Sequence, residues 1–289
     1  MRPCTSTNIH QDLGGVPYHY TIEQSLAACK AAGFSSIDVN LHSAASHQGP
    51  LADDANWKRW VYGVKEQIEK LGLDAPYAHC YFYVQPDRTE REEELTCRSI
   101  EAAGMLGVRW VTVHPYSVCD EAWYSHRKSL EDNLFYMRKY ADILAGVNTG
   151  IAIENMVEDT RKRRFGSSAE DLLELEEALG DEKFGLCWDF GHGERSSCNT
   201  PASLRMMGRK LKNVHVHDYT LNKVGHDHTL PFLGITNWAQ IMPVMKEIGY
   251  EGDWNFECHL FTEKMPAQTR ETALKLAYET NVQMIRMAE

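Results

Sequence analysis

Residues 184–192 read FGLCWDFGH, a short apolar run that ends at Asp189 and is followed three residues later by His192. This pattern decides the fold because it recurs along the second two-thirds of the chain. Four other apolar runs of strand length end in a side chain of the metal-binding type, namely His114 in RWVTVHP, Glu154 in GIAIEN, His215 in NVHVHD and Glu257 in DWNFEC. The repeat of roughly 30 to 40 residues is that of one strand, one helix and their loops.

The alternation of strand and helix patterns extends over almost the whole chain. Apolar periodicity predicts eight strands, the first at residues 4–9, and eight helices, the last at residues 269–288. Side chains that end successive parallel strands converge on one place only when the sheet closes, and the C-terminal face of such a barrel carries the active site. No stretch resembles a linker. We therefore predict a single (β/α)8 TIM barrel, an α/β fold, as one domain over residues 1–289.

The composition argues against several classes of protein. The 30 Lys and Arg residues against 41 Asp and Glu residues give a net charge of −11, which disfavours binding to nucleic acids. No apolar stretch approaches the roughly 20 residues of a membrane span, and the N-terminus lacks the apolar core of a signal peptide. The eight cysteines form no CxxC pair and are expected to be reduced thiols. We expect a cytoplasmic protein with no nucleic-acid or membrane partner.

Glu154 and Glu257 are the most informative pair, because a carboxylate at the end of an apolar strand is costly without a partner. One interpretation is that each forms an ion pair with a lysine or arginine at the barrel mouth. The other is that both bind a metal ion together with Asp189 and His215. Two glutamates, one aspartate and one histidine form an oxygen-rich ligand set that suits Mn²⁺, Mg²⁺ or Co²⁺, while further imidazoles would favour Zn²⁺.

Three more histidines lie near these strand ends. His192 follows Asp189 in a turn that contains glycines, and it is either a site residue or a buried core histidine. His217 lies two residues after His215, so the two would share a face of one strand. His217 is then a substrate contact, a neighbour of the ligands or a buried side chain. His228 lies in the loop KVGHDHTLPFLG, where we predict a functional role.

A basic cluster, RKRR at residues 161–164, follows the fifth strand and is therefore expected on the catalytic face. Arg164 and its neighbours could bind a phosphate or carboxylate group of the substrate. The alternative is a solvated loop whose charges pair with Glu158 and Asp159. The sequence leaves both interpretations open.

The strings at the strand ends resemble, in order and over nearly the whole chain, the motifs of the xylose isomerase-like TIM barrels. These strings are AHCYF, VTVHP, IAIEN, WDFGH, HVHD, DHTLPFLGITNW and FEC. The superfamily includes sugar and sugar-phosphate isomerases and epimerases, inosose and dehydroshikimate dehydratases, and apurinic endonucleases of the endonuclease IV type. The resemblance implies that Glu154, Asp189, His215 and Glu257 hold a shared divalent metal ion and that His192 lies beside the substrate.

The nuclease branch of this superfamily holds three zinc ions, and the resemblance implies that His79, His114 and His228 match three of the further ligands. His226, however, stands where that branch has an aspartate, and Asp227 is shifted by one residue. A neutral imidazole cannot bridge two cations as a carboxylate does. We therefore predict one ion, Mn²⁺, Mg²⁺, Co²⁺ or Zn²⁺, with those three histidines hydrogen-bonded to substrate hydroxyls or to the ligand carboxylates.

The resemblance and the residues together predict a divalent-metal-dependent isomerase or epimerase of a small sugar, polyol or sugar phosphate. Glu154 and Glu257 would remove and return a proton next to a carbonyl group, and His192 would stabilise the charge that develops. A homo-oligomer is compatible with this prediction. The predicted substrate-binding residues are His79, His114, His217, His228 and Arg164.

Alternatives to this function use the same site. Proton abstraction followed by loss of a β-hydroxyl would make the protein a dehydratase of the inosose or dehydroshikimate type. A three-zinc cluster would make it an endonuclease IV-like phosphodiesterase. A barrel that serves only as a binding subunit is disfavoured, because the metal-ligand set is complete. The ketose 3-epimerase branch has an arginine where this chain has Leu221, so that particular activity is less expected.

Overall fold

The structure is a computed structural model that describes residues 1–12, 17–46, 49–82, 89–120, 123–158, 163–220 and 228–289. Its parallel strands are β1 (Pro3–Ser6), β2 (Ser36–Asn40), β3 (Asp74–His79), β4 (Trp110–Val113), β5 (Gly150–Glu154), β6 (Phe184–Asp189), β7 (Leu211–His215) and β8 (Trp254–Phe256). The long helices that alternate with them are α1 (Ile22–Ala32), α2 (Trp57–Lys70), α3 (Glu90–Leu106), α4 (His126–Ile143), α5 (Ala169–Leu179), α6 (Thr200–Met207), α7 (Trp238–Glu247) and α8 (Arg270–Met287).

The strands form one closed sheet in the order β7-β6-β5-β4-β3-β2-β1-β8. The seam between β8 and β7 closes just beyond the strand ends, where the Val216 N–H donates to the Asn255 carbonyl at 2.8 Å and the Glu257 N–H donates to the Val216 carbonyl at 3.0 Å. The side-chain amide of Asn281 on α8 donates to one carbonyl in β1 and one in β8, at 3.1 and 2.7 Å. The predicted (β/α)8 barrel is confirmed.

The layer of helices is held to the barrel by apolar faces at helical spacing. On α2, Trp57, Val61 and Val64 are buried, whereas Tyr62 on the opposite face is 57% exposed. Trp188 is fully buried, so its ring belongs to the core. Within the described residues, no helix is both long enough and apolar enough to cross a membrane.

Local sequence sets the ends of the helices. α1 and α3 begin after Thr21 and Thr89, each of which forms a capping box with the residue three positions later. α5 begins after Ser168, whose side chain accepts a hydrogen bond from the Asp171 N–H at 3.3 Å. Gly107 and Gly180 end α3 and α5 with left-handed φ angles of 80° and 62°, a conformation that glycine adopts without strain.

The chain turns from β2 directly into a helix. The Asn40 side chain accepts a hydrogen bond from the Ser43 N–H at 3.1 Å and so begins a short helix, Leu41–Ala45. His42 therefore lies on this helix and not at the strand end. There its ring stacks on Phe82, with ring centroids 3.9 Å apart.

The chain after β6 and β7 also departs from the predicted pattern. Asp189 caps a short helix, Phe190–Arg195, by accepting a hydrogen bond from the His192 N–H at 2.7 Å. His192 thus lies on a helical turn and not in a loose glycine turn. β7 ends at His215, so His217, which was predicted on the same strand, lies in the segment that follows it.

Candidate active site

The C-terminal ends of neighbouring strands bring the four predicted metal ligands together. Glu154, Asp189 and His215 are the last residues of β5, β6 and β7, and Glu257 directly follows β8. One donor atom from each side chain lies within 4.8 Å of the other three, and all four side chains are buried. His215 lies between the glutamates, since its Nδ1 is 2.7 Å from Glu154 Oε1 and 3.2 Å from Glu257 Oε2.

The charges at this cluster keep its carboxylates ionised. Burial alone would raise the pKa of Glu154 and of Glu257, but the charge on His215 holds both pKa values well below the ordinary range. Burial would also raise the pKa of Asp189, but His192 and His217 lower it. Burial would lower the pKa of His215, yet Cys187 and the two glutamates raise it well above its ordinary value. The cluster is therefore rich in negative charge that a cation could neutralise.

The donor set fits a divalent ion. Ligand bonds of about 2.1 Å require donor atoms that are all within about 4 Å of one another, and the four donors approach that arrangement. Glu154 Oε2 is buried without a well-aligned hydrogen bond, although buried polar atoms are normally satisfied. Three carboxylates and one imidazole are ligands that Mn²⁺, Mg²⁺, Co²⁺ and Zn²⁺ accept.

His217 positions Asp189 by contacting both oxygens of its carboxylate. Its Nε2 lies 2.9 Å from both carboxylate oxygens of Asp189, and its Nδ1 accepts a hydrogen bond from the His228 N–H at 2.8 Å. The ring is fully buried and stacks on the His228 ring at 4.0 Å. Both nitrogens of His217 are thus engaged within the protein, so a substrate contact would require His217 to give up one of these bonds.

Gly191 makes room for that arrangement. A Cβ at Gly191 would lie 1.9 Å from the Cε1 of His217, so the His217 ring would have to move to accommodate any side chain there. His192, the next residue, donates a hydrogen bond from Nδ1 to the Asn155 carbonyl at 2.9 Å. This bond fixes the His192 ring beside Asp189 and leaves its Nε2 without a hydrogen bond among the described residues.

A polar layer lies inside the barrel, two residues before the site on several strands. Asp38 Oδ2 lies 3.4 Å from His215 Nε2, on the side of the ring away from the glutamates. The Asn255 amide donates to Asp38 Oδ2 at 2.7 Å, and the Asn213 amide donates to Thr112 Oγ1 at 3.1 Å. Carboxylates in this position behind a ligating histidine orient its ring. No local sequence pattern predicts this role for Asp38, because its partner His215 is far away along the chain.

His79 and His114 lie against the opposite side of Glu154. His114 Nε2 is 2.9 Å and His79 Nε2 is 3.3 Å from Glu154 Oε2, and the two Nε2 atoms are 3.1 Å apart. Burial lowers the pKa of His114 to about 4, whereas Glu154 overcomes burial and raises the pKa of His79. Both predicted substrate-binding residues are therefore at the site, and both approach the carboxylate of Glu154.

His228 completes the cluster from the loop after β7. It has a left-handed φ of 63°, and its Nε2 lies 3.6 Å from Glu257 Oε2. Asp189, His192, His217 and His228 also form a second group whose donor atoms lie within 4.8 Å of one another. His226, Asp227 and Leu221, on which the sequence arguments about metal number and 3-epimerase activity depended, lie outside the described residues.

Only two residues of the basic cluster after β5, Arg163 and Arg164, lie within the described part of the chain. Arg161 and Lys162 lie outside the described residues. Arg163 forms an ion pair with Glu158 at 2.6 Å, one of the two partners that the solvated-loop interpretation predicted, and another with Asp171 at 3.1 Å. Asp159, the other predicted partner, lies outside the described residues. Arg164 is partly buried, and this burial lowers its pKa.

The amino-acid sequence is similar to that of a known family and of two relatives. A family model described as "Xylose isomerase-like TIM barrel" matches residues 26–284. The chain is 29% identical over 275 residues to the uncharacterized protein y4fM of Sinorhizobium fredii. This match covers 83% of this chain and 82% of that protein. It is 28% identical over 173 residues to the uncharacterized protein MJ1311 of Methanocaldococcus jannaschii, a match that spans only about half, 56%, of each chain.

Similarity to solved structures extends over the whole barrel. The D-allulose 3-epimerase of Methylomonas sp. superposes with a TM-score of 0.72 over 100% of this chain and 98% of that one. The two sequences are 16% identical, so the likeness is one of fold.

Proposed function

The chain belongs to the xylose isomerase-like TIM barrel family, and on that basis we propose that it is a divalent-metal-dependent isomerase or epimerase of a small sugar or polyol. The observation that carries this proposal is the pair of buried glutamates, Glu154 and Glu257, on either side of His215. The name of the D-allulose 3-epimerase, whose fold is similar, supports a sugar as the class of substrate. Leu221 stands where the ketose 3-epimerase branch has an arginine, which disfavours 3-epimerisation of a ketose.

Glu154, Asp189, His215 and Glu257 would hold one divalent ion. The ion, when bound, would act as a Lewis acid that acidifies the C–H bond next to a carbonyl group. Asp38 and His217 would keep His215 and Asp189 in the orientation that ligation needs. The buried position of all four donors would exclude competing water.

The two glutamates would transfer the proton. Metal binding requires the carboxylate form of both glutamates, so either could accept a proton from substrate. One would remove the proton, and the other would return it on the same or the neighbouring carbon. His192, whose Nδ1–H is held by the Asn155 carbonyl, would present Nε2 to the oxygen on which negative charge develops, and as an imidazolium it would donate a hydrogen bond there. His79, His114 and His228 would hydrogen-bond substrate hydroxyls or the carboxylates of Glu154 and Glu257 that they already approach.

Deuterium exchange tests the proposed proton transfer. The Mn²⁺-loaded protein is incubated with a panel of ketoses and ketose phosphates in D₂O, and products are examined by NMR and mass spectrometry. Deuterium at the carbon next to the carbonyl group is the expected result. Turnover without any incorporated deuterium would exclude proton abstraction, and an ultraviolet-absorbing enone product would indicate a dehydratase instead.

A second candidate function is a phosphodiesterase with several metal ions. It is favoured by the second group of donors, Asp189, His192, His217 and His228. It is opposed by the net charge of −11, which repels a nucleic-acid backbone. Elemental analysis separates the two functions, because our proposal expects one tightly bound ion per chain. Three zinc ions per chain together with cleavage of abasic duplex DNA would favour the phosphodiesterase.

A further inference from the structure

We propose that Asp218 is a positioning residue, which acts on the candidate metal site through the segment after β7 and through His217. This inference rests on the proposed function, because it concerns the support of the same metal site. It starts from the N–H groups that converge on the Asp218 carboxylate, a fully buried side chain just beyond the end of β7.

The Asp218 carboxylate accepts four hydrogen bonds. Its Oδ1 accepts from the backbone N–H groups of Tyr219 and Thr236, at 2.9 and 3.0 Å. Its Oδ2 accepts from the Phe232 backbone N–H at 3.0 Å and from the Trp238 indole N–H at 3.1 Å. The carboxylate therefore ties the end of β7 to the start of α7 and to the segment that precedes α7.

That segment, residues 228–237, depends on the carboxylate because much of its apolar surface is not packed. The side chains of Phe232, Leu233 and Ile235 are 54%, 61% and 45% exposed. Phe232 also has a left-handed φ of 74°, which residues with a large side chain disfavour. The hydrogen bonds to Asp218 therefore hold a strained and loosely packed segment in one conformation.

The start of the segment is held by the Asp218 backbone. The Asp218 N–H donates to the Thr229 carbonyl at 2.9 Å, and the Thr229 N–H donates to the Asp218 carbonyl at 3.3 Å. Directly before Thr229, the His228 N–H donates to His217 Nδ1 at 2.8 Å. The segment that Asp218 fixes thus places this N–H against the His217 ring.

The His228 N–H determines which nitrogen of His217 carries the hydrogen. A backbone N–H can only donate, so Nδ1 of His217 is the acceptor and Nε2 carries the hydrogen. The Asp218 carbonyl also lies 3.3 Å from Nδ1, but it accepts from the Thr229 N–H. Nε2 lies 2.9 Å from both carboxylate oxygens of Asp189 and donates to them. Asp218 therefore supports a candidate metal ligand through the tautomer of His217.

Calorimetric titration with Mn²⁺ alone tests this role. Asp218→Asn keeps the shape of the side chain but turns an NH₂ group towards N–H donors, which should release the segment. Mn²⁺ affinity should fall about 10-fold, the lower end of the range for groups that support a metal ligand. A lower unfolding temperature with unchanged Mn²⁺ affinity would make Asp218 purely structural and overturn the proposal.

A double-mutant cycle tests the route through His217. His217→Leu removes the donor through which Asp218 acts on Asp189. In that background, Asp218→Asn should change Mn²⁺ affinity by less than about two-fold, the accuracy with which such cycles are interpreted. An equal loss of affinity in the wild-type and His217→Leu backgrounds would overturn the route.

Gly234→Ala disturbs the same carboxylate without removing its charge, and it serves if Asp218→Asn does not fold. A Cβ at Gly234 would lie 2.2 Å from Asp218 Oδ1, so Mn²⁺ affinity should again fall. Asp253→Asn is the matched control, since this buried aspartate lies at the other end of the barrel and accepts from Ser36 Oγ at 2.6 Å and from Arg2 Nε at 2.9 Å. It should lower the unfolding temperature and keep wild-type Mn²⁺ affinity. An equal loss of affinity in Asp253→Asn and Asp218→Asn would overturn the proposal.

The outcomes for Asp218 and for the proposed function are separable, because the titrations contain no sugar. A non-additive cycle in a protein that exchanges deuterium with no sugar would support the positioning role and count against the isomerase. An additive cycle in a protein that does exchange deuterium would support the isomerase and overturn the positioning role.

Discussion

At the scale of single residues, Glu257 combines two tasks. It supplies a carboxylate to the candidate metal site, and it is one of the two bases proposed for proton transfer. Glu257→Gln fills the same space with a neutral amide and should lower the catalytic rate by about 10²- to 10⁴-fold, with an unchanged circular dichroism spectrum. Glu251→Gln, an exposed glutamate before the same strand, is the control and should keep wild-type activity. An unchanged rate in Glu257→Gln would remove Glu257 from the mechanism.

His217 gives a second test at this scale, because it touches the candidate ligand Asp189 and not the ion. His217→Leu removes the donor to the Asp189 carboxylate and should weaken Mn²⁺ binding by about 10- to 100-fold. His217→Gln retains a side-chain N–H and should restore much of that affinity. The measurement is calorimetric titration with Mn²⁺ alone. Equal affinities in His217→Leu and wild type would show that Asp189 needs no support from His217.

The lowered pKa of His42 should make the free energy of unfolding depend on pH. Burial, together with the charges of His79, His114 and His19, lowers its pKa to about 3, while Glu257 acts weakly in the opposite direction. Because the unfolded histidine titrates near about 6.5, the unfolded state binds more protons between these values. The free energy of unfolding should therefore fall as the pH drops from about 6.5 towards 3.

His42→Asn removes this titration and keeps an acceptor for the Phe82 N–H, which His42 Nδ1 now binds at 3.3 Å. Denaturant unfolding at several pH values should give a shallower acid-side slope for His42→Asn than for wild type. Above pH 7, where the histidine is neutral in both states, the two slopes should coincide. Identical slopes on the acid side would mean that His42 does not contribute.

At the scale of elements, the short helix Phe190–Arg195 links backbone packing to the site. Gly191→Ala would place a methyl group on the His217 ring and should destabilise the protein by about 1–3 kcal/mol. It should also weaken Mn²⁺ binding by displacing His217 from Asp189. Gly63→Ala on α2 is the matched control, since a Cβ there meets open space. It should stabilise the protein by about 0.5–1 kcal/mol, and a loss of stability there would contradict this comparison.

The strands and helices also show which parts of the structure were predictable from the sequence. Strand ends were predictable because each apolar run stops at a polar residue such as Glu154, and helix starts because residues such as Thr21 and Thr89 cap them. The short helices after Asn40 and Asp189 were not predictable, because a capping side chain directly after a strand gives the same local sequence pattern as a turn. The support that Asp38 gives to His215 depends on barrel closure, which no local pattern encodes.

At the scale of the whole molecule, a divalent ion would join β5, β6, β7 and β8, because each contributes or directly precedes a candidate ligand. Ligands that bind only the folded state stabilise it, by about 2.7 kcal/mol at a free concentration of 100 times Kd. Removal of divalent ions by a chelator should therefore lower the unfolding temperature and stop turnover, and Mn²⁺ should restore both. Full activity in protein shown by elemental analysis to be free of metal would contradict the metal requirement.

The seam between β7 and β8 has a consequence during synthesis on the ribosome. Glu257, whose N–H completes the seam, is translated after the other three candidate ligands. At roughly 5–20 residues per second, β1 through β7 emerge while β8 is still unmade. During that interval the nascent sheet has two unpaired edges, which invite pairing with other chains. Chaperone binding at this stage should therefore matter more for the yield of this protein than for a fold whose edges pair early.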